Sequence, residues 1–203
     1  MNIGVIIFPG SNCDLETVEF LSSYVGLNVK RIWHKETNID PHYMYVFPGG
    51  FSYGDYMRAG KLATFSPALK EIVTHIKAGK SRALGICNGF QILCEMSLLP
   101  GTLTKNKDCK FICKTLDIND QHTNYKLPVA HGQGNYYHPN PESLNVAYRY
   151  NNNINGSTDS IAGLYNKSGN VLGMMPHPER AFKYFHSSQD GFKIFDKFLH
   201  KNI

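Results

Sequence analysis

The sequence predicts an α/β fold: a mostly parallel central sheet with helices on both faces and a few added antiparallel strands. Three observations predict it. Short apolar runs recur, several of them stopped by proline and glycine, as strands buried on both faces of a parallel sheet require. The segments between them carry apolar residues at helical spacing. After Pro100-Gly101 that rhythm changes to runs that read as edge or antiparallel strands.

Ile3-Gly4-Val5-Ile6-Ile7-Phe8 is the first buried strand, ended by Pro9-Gly10. Ser11 or Asn12 is placed to cap a helix whose Leu15, Val18, Phe20 and Leu21 face inward, with Gly26 closing it. A second strand follows at 28–33. The third, Tyr43-Met44-Tyr45-Val46-Phe47, stops at Pro48-Gly49-Gly50. A helix over about 66–77 has Pro67 in its first turn and Gly79 past its end. The fourth strand, 82–86, runs straight into Cys87, and 88–96 reads as the next helix. Residues 111–116 and 148–150 read as edge or antiparallel strands, and 151–156 as a polar turn. Asn170-Val171-Leu172-Gly173-Met174-Met175 is a further buried strand ending at Pro176-His177-Pro178-Glu179. Phe192, Ile194, Phe195, Phe198 and Leu199 mark a helix over 189–199. No repeat or linker interrupts the chain, which is read as a single domain over 1–203.

The 203 residues suffice for one sizeable core, and 42% hydrophobic with 18% charged residues excludes a disordered chain. The net charge of +5 is scattered. Its richest patch, Lys105, Lys107, Lys110 and Lys114, is too sparse to predict a nucleic-acid partner. Five cysteines, an odd number in a chain of this length, argue against a secreted disulfide framework. The start, Met1-Asn2-Ile3-Gly4-Val5, lacks a signal peptide's basic region, and no apolar run approaches the ~20 residues that span a bilayer. The expectation is a cytoplasmic protein with no membrane partner.

Cys87 stands between Gly85 and Gly89 at the end of a predicted parallel strand. The pattern copies the Gly-x-Ser-x-Gly nucleophile elbow with sulfur for oxygen, although a small packed thiol would fit the same spacing. Ligands of open parallel sheets bind at this rim, and the helix start that follows favours a thiolate. The Asn88 amide, in the first turn, can face an oxyanion. A thiolate needs a base and the base an orienter; His177 and Glu179 stand two apart at another strand end, where extended backbone would turn both to one side. Pro48-Gly49-Gly50-Phe51-Ser52-Tyr53-Gly54-Asp55 follows a third strand, and the Gly50 and Phe51 amides would complete an oxyanion hole. Together these ends predict acyl transfer through a thioester.

The stretches "FPGGFSYGDYMRAG", "LGICNGFQILCEMSLLPG", "AHGQGNYY" and "GNVLGMMPHPER" resemble the class I, or triad, glutamine amidotransferases, and the resemblance runs from Ile3 to about Phe195. The elbow and His-Pro-Glu are shared by the whole class. "FSYGDY" and "AHGQGNYY" look like the branch that serves phosphoribosylformylglycinamidine (FGAM) synthase. The resemblance implies a flavodoxin-like glutaminase domain with Cys87, His177 and Glu179 as triad, splitting L-glutamine into glutamate and ammonia. It implies a synthetase subunit that receives the ammonia and uses ATP, with Mg expected there, and a small bridging subunit between the two. No cofactor and no metal are expected in this chain, which shows no Gly-rich phosphate loop ending in Lys-Ser or Lys-Thr. One departure is a segment of only about a dozen residues between Thr115 and Pro128, shorter than in the family.

Gly49, Phe51 and Gln91 are candidate glutamine contacts, Phe51 against the methylene chain and Gln91 at the amino or carboxylate end. Arg58 is read as facing a carboxylate or an acidic partner surface, with the partner favoured. His131 is read as an orienting or interface residue, since no carboxylate lies two residues on. Cys109 and Cys113 lack a second ligand pair of zinc spacing. Cys94 is expected in the core, and Cys13 near the rim as a packed thiol.

Overall fold

A computed structural model describes residues 1–202. Eleven strands and four α-helices follow in the order β1 (Asn2–Ile7), α1 (Asp14–Ser22), β2 (Asn28–Trp33), β3 (Met44–Phe47), α2 (Pro67–Lys77), β4 (Arg82–Ile86), α3 (Asn88–Glu95), β5 (Thr102–Thr104), β6 (Ile112–Asn119), β7 (Asn124–His131), β8 (Asn135–Tyr137), β9 (Asn145–Tyr150), β10 (Ile161–Tyr165), β11 (Val171–Met174) and α4 (Asp190–Leu199), counted among the described residues. Nine strands form one sheet in the order β2-β1-β3-β4-β11-β10-β9-β6-β7. From β2 to β11 neighbours are parallel; from β11 to β7 they are antiparallel. β5 and β8 make a separate antiparallel pair.

The apolar runs become the centre of the sheet. β3 and β11 are buried at every residue, and β1 and β4 at every residue after the first. The chain leaves β1 for β2 on one side and returns to β3 on the other, so the strand order reverses beside β1. Such a switch point opens a crevice at the strands' carboxyl ends. The right-handed rule for such crossovers implies that α1 and α2 cover opposite faces. α4 joins α1: Phe20 stacks on Phe192 at 5.0 Å and meets Phe195 and Phe182 edge-on. Each such aromatic pair adds about 0.5–1.5 kcal/mol beyond the area it buries. α3 packs against β3, β4 and β11 and is buried from Asn88 to Cys94.

Several expectations need correction. α1 begins at Asp14 with Cys13 as its N-cap and no side-chain cap; the Ser11 hydroxyl instead accepts from the Phe8 amide. β2 forms as expected but is the sheet's edge, with only Ile32 buried. β5, β7, β8 and β10 were not expected. β7 hides a proline, Pro128, which an outermost strand tolerates because the missing N–H costs no ladder bond. β10 carries Gly163 at a bulge, where a Cβ would come within 2.8 Å of the Gly173 carbonyl oxygen. The short segment after Thr115 is a tight hairpin between β6 and β7. Asp120 closes its turn by accepting from the His122 and Thr123 amides.

Candidate active site

The elbow is built by close packing. Cys87 follows β4 with φ 50° and ψ −105°, a conformation a residue with a side chain seldom adopts. Its amide donates to the Met174 carbonyl at 2.8 Å, which extends the β4–β11 pairing to the turn. Glycine at 89 is obligatory: a Cβ there would sit 1.9 Å from the Phe47 carbonyl oxygen. A Cβ on Gly85 would meet the Gly89 backbone at 2.7 Å. Helix and strand therefore approach too closely for side chains, and the strain at Cys87 is the result.

His177 follows β11, and its amide donates to the Pro128 carbonyl of β7 at 2.9 Å. His177 is extended, but Pro178–Arg180 is a single 3₁₀ turn. The pairing with Glu179 thus comes from a turn after one extended residue, not from the straight extended chain the sequence suggested. Nδ1 lies 2.6 Å from Glu179 Oε1, and both side chains are fully buried. The Gly191 amide of α4 donates to Ala181, and a Cβ on Gly191 would lie 2.1 Å from the Pro178 carbonyl oxygen, so α4 braces this turn.

Cys87 is buried with its sulfur 3.7 Å from the Ala130 carbonyl. Among the described residues no hydrogen bond of regular geometry reaches His177 Nε2, although Cys87 favours the protonated ring electrostatically. Burial opposes an imidazolium, but the Glu179 charge, then Cys87, outweigh it, and the His177 pKa is raised to about 10. The second histidine of the site behaves oppositely. His131 is buried, with Nδ1 3.1 Å from Asn106 Oδ1, and burial followed by the nearby His177 charge lowers it to about 4. It is an orienting candidate held by Asn106; its burial removes the interface alternative.

The loop after β3 knits to the loop after β1. The Phe51 amide donates to the Gly10 carbonyl at 2.8 Å, and the Tyr53 amide to that of Pro9 at 2.7 Å. The Phe51 amide is therefore already engaged, which corrects its expected place in the oxyanion hole. The Gly50 amide has no partner among the described residues, and φ +133° with Asn12 and Gly10 within 2.7 Å of any Cβ admits only glycine. Asn88 opens α3, where first-turn amides have no intrahelical acceptor. Gly49 backs the imidazole rather than lining a cavity: its Cβ would touch His177 Cε1 at 2.9 Å.

Two small cavities meet at Gly50, Phe51, Phe111 and Ala130. One, about 110 Å³, reaches Cys87, Gln91 and His131; the other, about 200 Å³, reaches Cys13, His177 and Arg180. A groove of about 1200 Å³ near Leu98 and Lys167 is larger, but it lies away from Cys87, so chemistry rather than size locates the site. Gln91 is held in place, accepting from Asn88 Nδ2 at 2.8 Å and donating to the Gln133 carbonyl at 2.7 Å. Arg58 is largely exposed and pairs within the chain with Glu95 at 2.5 Å. Cys13 is a buried thiol 3.1 Å from Arg180 Nη2, and burial pushes its pKa up to about 12. Its sulfur and donor atoms of His177 and Glu179 lie within 4.8 Å of one another, but two of those three are members of the expected triad. Cys94 is buried as expected, while Cys109 and Cys113 are exposed free thiols.

Sequence reasoning missed Asn106 and Asp55. Asn106 donates to the His131 carbonyl and accepts from the Gly134 amide, from a loop with no motif of its own. Asp55 lines the Cys87 cavity; the residues quoted after Pro48 contained it, but nothing in their spacing gave its side chain a direction.

Residues 1–147 and 137–196 match the CobB/CobQ-like glutamine amidotransferase domain. A subunit PurQ of phosphoribosylformylglycinamidine synthase from Synechococcus elongatus is 45% identical over 214 aligned residues, covering 96% of each chain. Its counterpart in Trichormus variabilis is 42% identical, covering 100% of this chain and 99% of that one. The solved PurLQS of Thermotoga maritima superposes with a TM-score of 0.90 at 38% identity, over 98% of this chain and 97% of that one. With a strained thiol, a buried histidine–glutamate pair and a Gly-Gly loop at one sheet rim, this chain belongs to the CobB/CobQ-like glutamine amidotransferase family and is an enzyme of that family.

Proposed function

We propose that Cys87, His177 and Glu179 perform the glutaminase half-reaction of phosphoribosylformylglycinamidine synthase. The observation that carries this reading is the buried His177–Glu179 pair beside the thiol of a strained elbow. With its pKa raised, His177 holds the proton shared with Cys87 at neutral pH, leaving sulfur as the nucleophile. The sulfur attacks the carboxamide carbon of glutamine. The oxyanion that develops is met by the amides of Gly50 and Asn88. The imidazolium gives its proton to the departing ammonia, and a thioester to Cys87 remains. His177 then takes a proton from water, which attacks the thioester and frees glutamate. Glu179 fixes the ring tautomer and stabilises its charge throughout.

The ammonia passes to a synthetase subunit, which uses ATP to convert formylglycinamide ribonucleotide to formylglycinamidine ribonucleotide in purine synthesis. ATP and Mg belong on that partner, and a small bridging subunit completes the complex in this reading. Among the described residues no helix is long and apolar enough to cross a membrane, which accords with a cytoplasmic place for such a complex.

The test uses the assembled synthase. Cys87→Ala should lower glutamine hydrolysis by about 10⁴-fold or more, while product formation from added ammonium continues. Substantial glutamine hydrolysis by the alanine variant overturns the thioester mechanism.

A further inference from the structure

We propose that Asp55 determines substrate specificity by receiving the α-ammonium group of glutamine in the cavity at Cys87. The inference rests on the glutaminase reading above and extends it to the far end of the substrate.

Asp55 lines the same cavity of about 110 Å³ as Cys87 and Gln91. Among the described residues it forms no ion pair. The cations of its own segment, Arg58 and Lys61, both turn to Glu95, at 2.5 and 3.5 Å. No lysine or arginine lines the cavity. Its hydrogen-bond partner is neutral: Asn88 Nδ2, 3.3 Å from Oδ1, which also donates to Gln91. The carboxylate is thus half-buried without a counter-charge, and desolvation raises its pKa to about 6. A carboxylate in that condition gains most from an arriving cation.

The backbone holds it there deliberately. Tyr53, Gly54, Asp55 and Met57 all have positive φ, between 54° and 69°. The segment is pinned by the Ser52 amide donating to Asn88 Oδ1 and the Tyr53 amide donating to the Pro9 carbonyl. Asn88 therefore ties the carboxylate to the first residue of the elbow helix. Glutamine carries a single cationic group, at the end opposite its carboxamide. With the carboxamide at Cys87, that group enters the cavity, where Asp55 is the carboxylate on the wall; His131, lowered to about 4, stays neutral.

The test compares glutamine with glutaramate, the same molecule without its α-amino group, in the assembled synthase carrying wild type, Asp55→Asn, Asp55→Glu or Cys87→Ala. In Asp55→Asn, kcat/KM for glutamine should fall roughly 10- to 100-fold, the worth of a charged hydrogen bond, while that for glutaramate holds within about 3-fold. The preference for glutamine should collapse in Asp55→Asn and be partly kept in Asp55→Glu. Because the ratio is taken within each variant, a lower folded fraction cancels. A second readout is pH. Wild-type kcat/KM for glutamine should drop as pH falls through about 6, where Asp55 takes up a proton; glutaramate, or Asp55→Asn with either substrate, should lack that limb. The titratable groups that line the cavity with Asp55 are Cys87 and His131, and they bear on both substrates alike. An unchanged ratio in Asp55→Asn, or equal losses on both substrates, overturns the proposal. Activity retained by Cys87→Ala would instead overturn the mechanism it rests on.

Discussion

The two halves of the sheet divide the work of the site. The parallel half, β2-β1-β3-β4-β11, ends its strands at one rim and delivers the elbow, the Gly-Gly loop and the His-Pro-Glu turn there. The antiparallel half, β10-β9-β6-β7, supplies no member of that trio. Its β6–β7 hairpin pairs with β9 only at Ile118 and Asn119, and its other end reaches the rim, so that the Pro128 carbonyl holds the His177 amide and Ala130, His131, Gly132 and Gln133 wall the cavity. The two histidines show what the difference does. His177 hangs from the parallel half beside a carboxylate and is raised; His131 hangs from the hairpin beside a neutral amide and is lowered. Burial is common to both, and the partner decides the charge.

The comparison breaks most severely at the histidine pair. Glu179→Gln should lower kcat for glutamine on the order of 10³-fold or more, read by glutamate release from the assembled synthase. The sign with pH follows from linkage. His177 is raised from 6.5 to about 10 in the folded chain, so its contribution to stability is complete below pH 6.5 and is lost as pH rises through about 10. The excess stability of wild type over Glu179→Gln in denaturant should shrink across that window; a gap constant with pH would refute the assignment.

Gly89→Ala tests whether the parallel half tolerates slack. Its Cβ would meet backbone at 1.9 Å. A loss of roughly 3–5 kcal/mol in urea unfolding is expected, with the glutaminase reaction lost at the same time. A variant as stable as wild type would mean that the close approach of α3 and β3 is not what sets the elbow.

The smallest effect belongs to the hairpin turn. Asp120 accepts from the His122 and Thr123 amides and the Tyr125 hydroxyl, and pairs with Lys197 of α4. Burial alone would raise its pKa, but the Lys197 and Tyr125 side chains with the two amides hold it well below the carboxylate range. That stabilisation is present above an ordinary aspartate pKa and fades as pH falls toward the folded value. Asp120→Asn should cost about 1–2 kcal/mol at pH 7, with kcat for glutamine within about 2-fold of wild type. A large loss of kcat would show that the turn governs the hairpin's other end at the site.

Much of the parallel half was legible because its signals are local. Continuous apolar runs in β1, β3, β4 and β11 can be read without knowing their neighbours, whereas the spacing of Gly85, Cys87 and Gly89 fits a packed thiol as well as an elbow until the His-Pro-Glu and Gly-Gly strand ends are set beside it. β7 was not legible, since Pro128 argues against a strand until its outermost position is known. The Phe51 amide was misjudged for a similar reason: its acceptor, Gly10, lies in another loop.

The sequence by itself determined the parallel strands of the α/β core, a cysteine between two glycines at a strand end and a histidine and a glutamate two residues apart, because each follows from residues adjacent in the chain. The tertiary structure alone decided that the Phe51 amide is engaged by Gly10 while those of Gly50 and Asn88 have no partner among the described residues, that His131 is buried and neutral, and that Asp55 lines the cavity of Cys87 with no ion pair among the described residues. Charge state and donor availability depend on what lies across a gap in space, and contacts between distant segments set that only when the chain has packed.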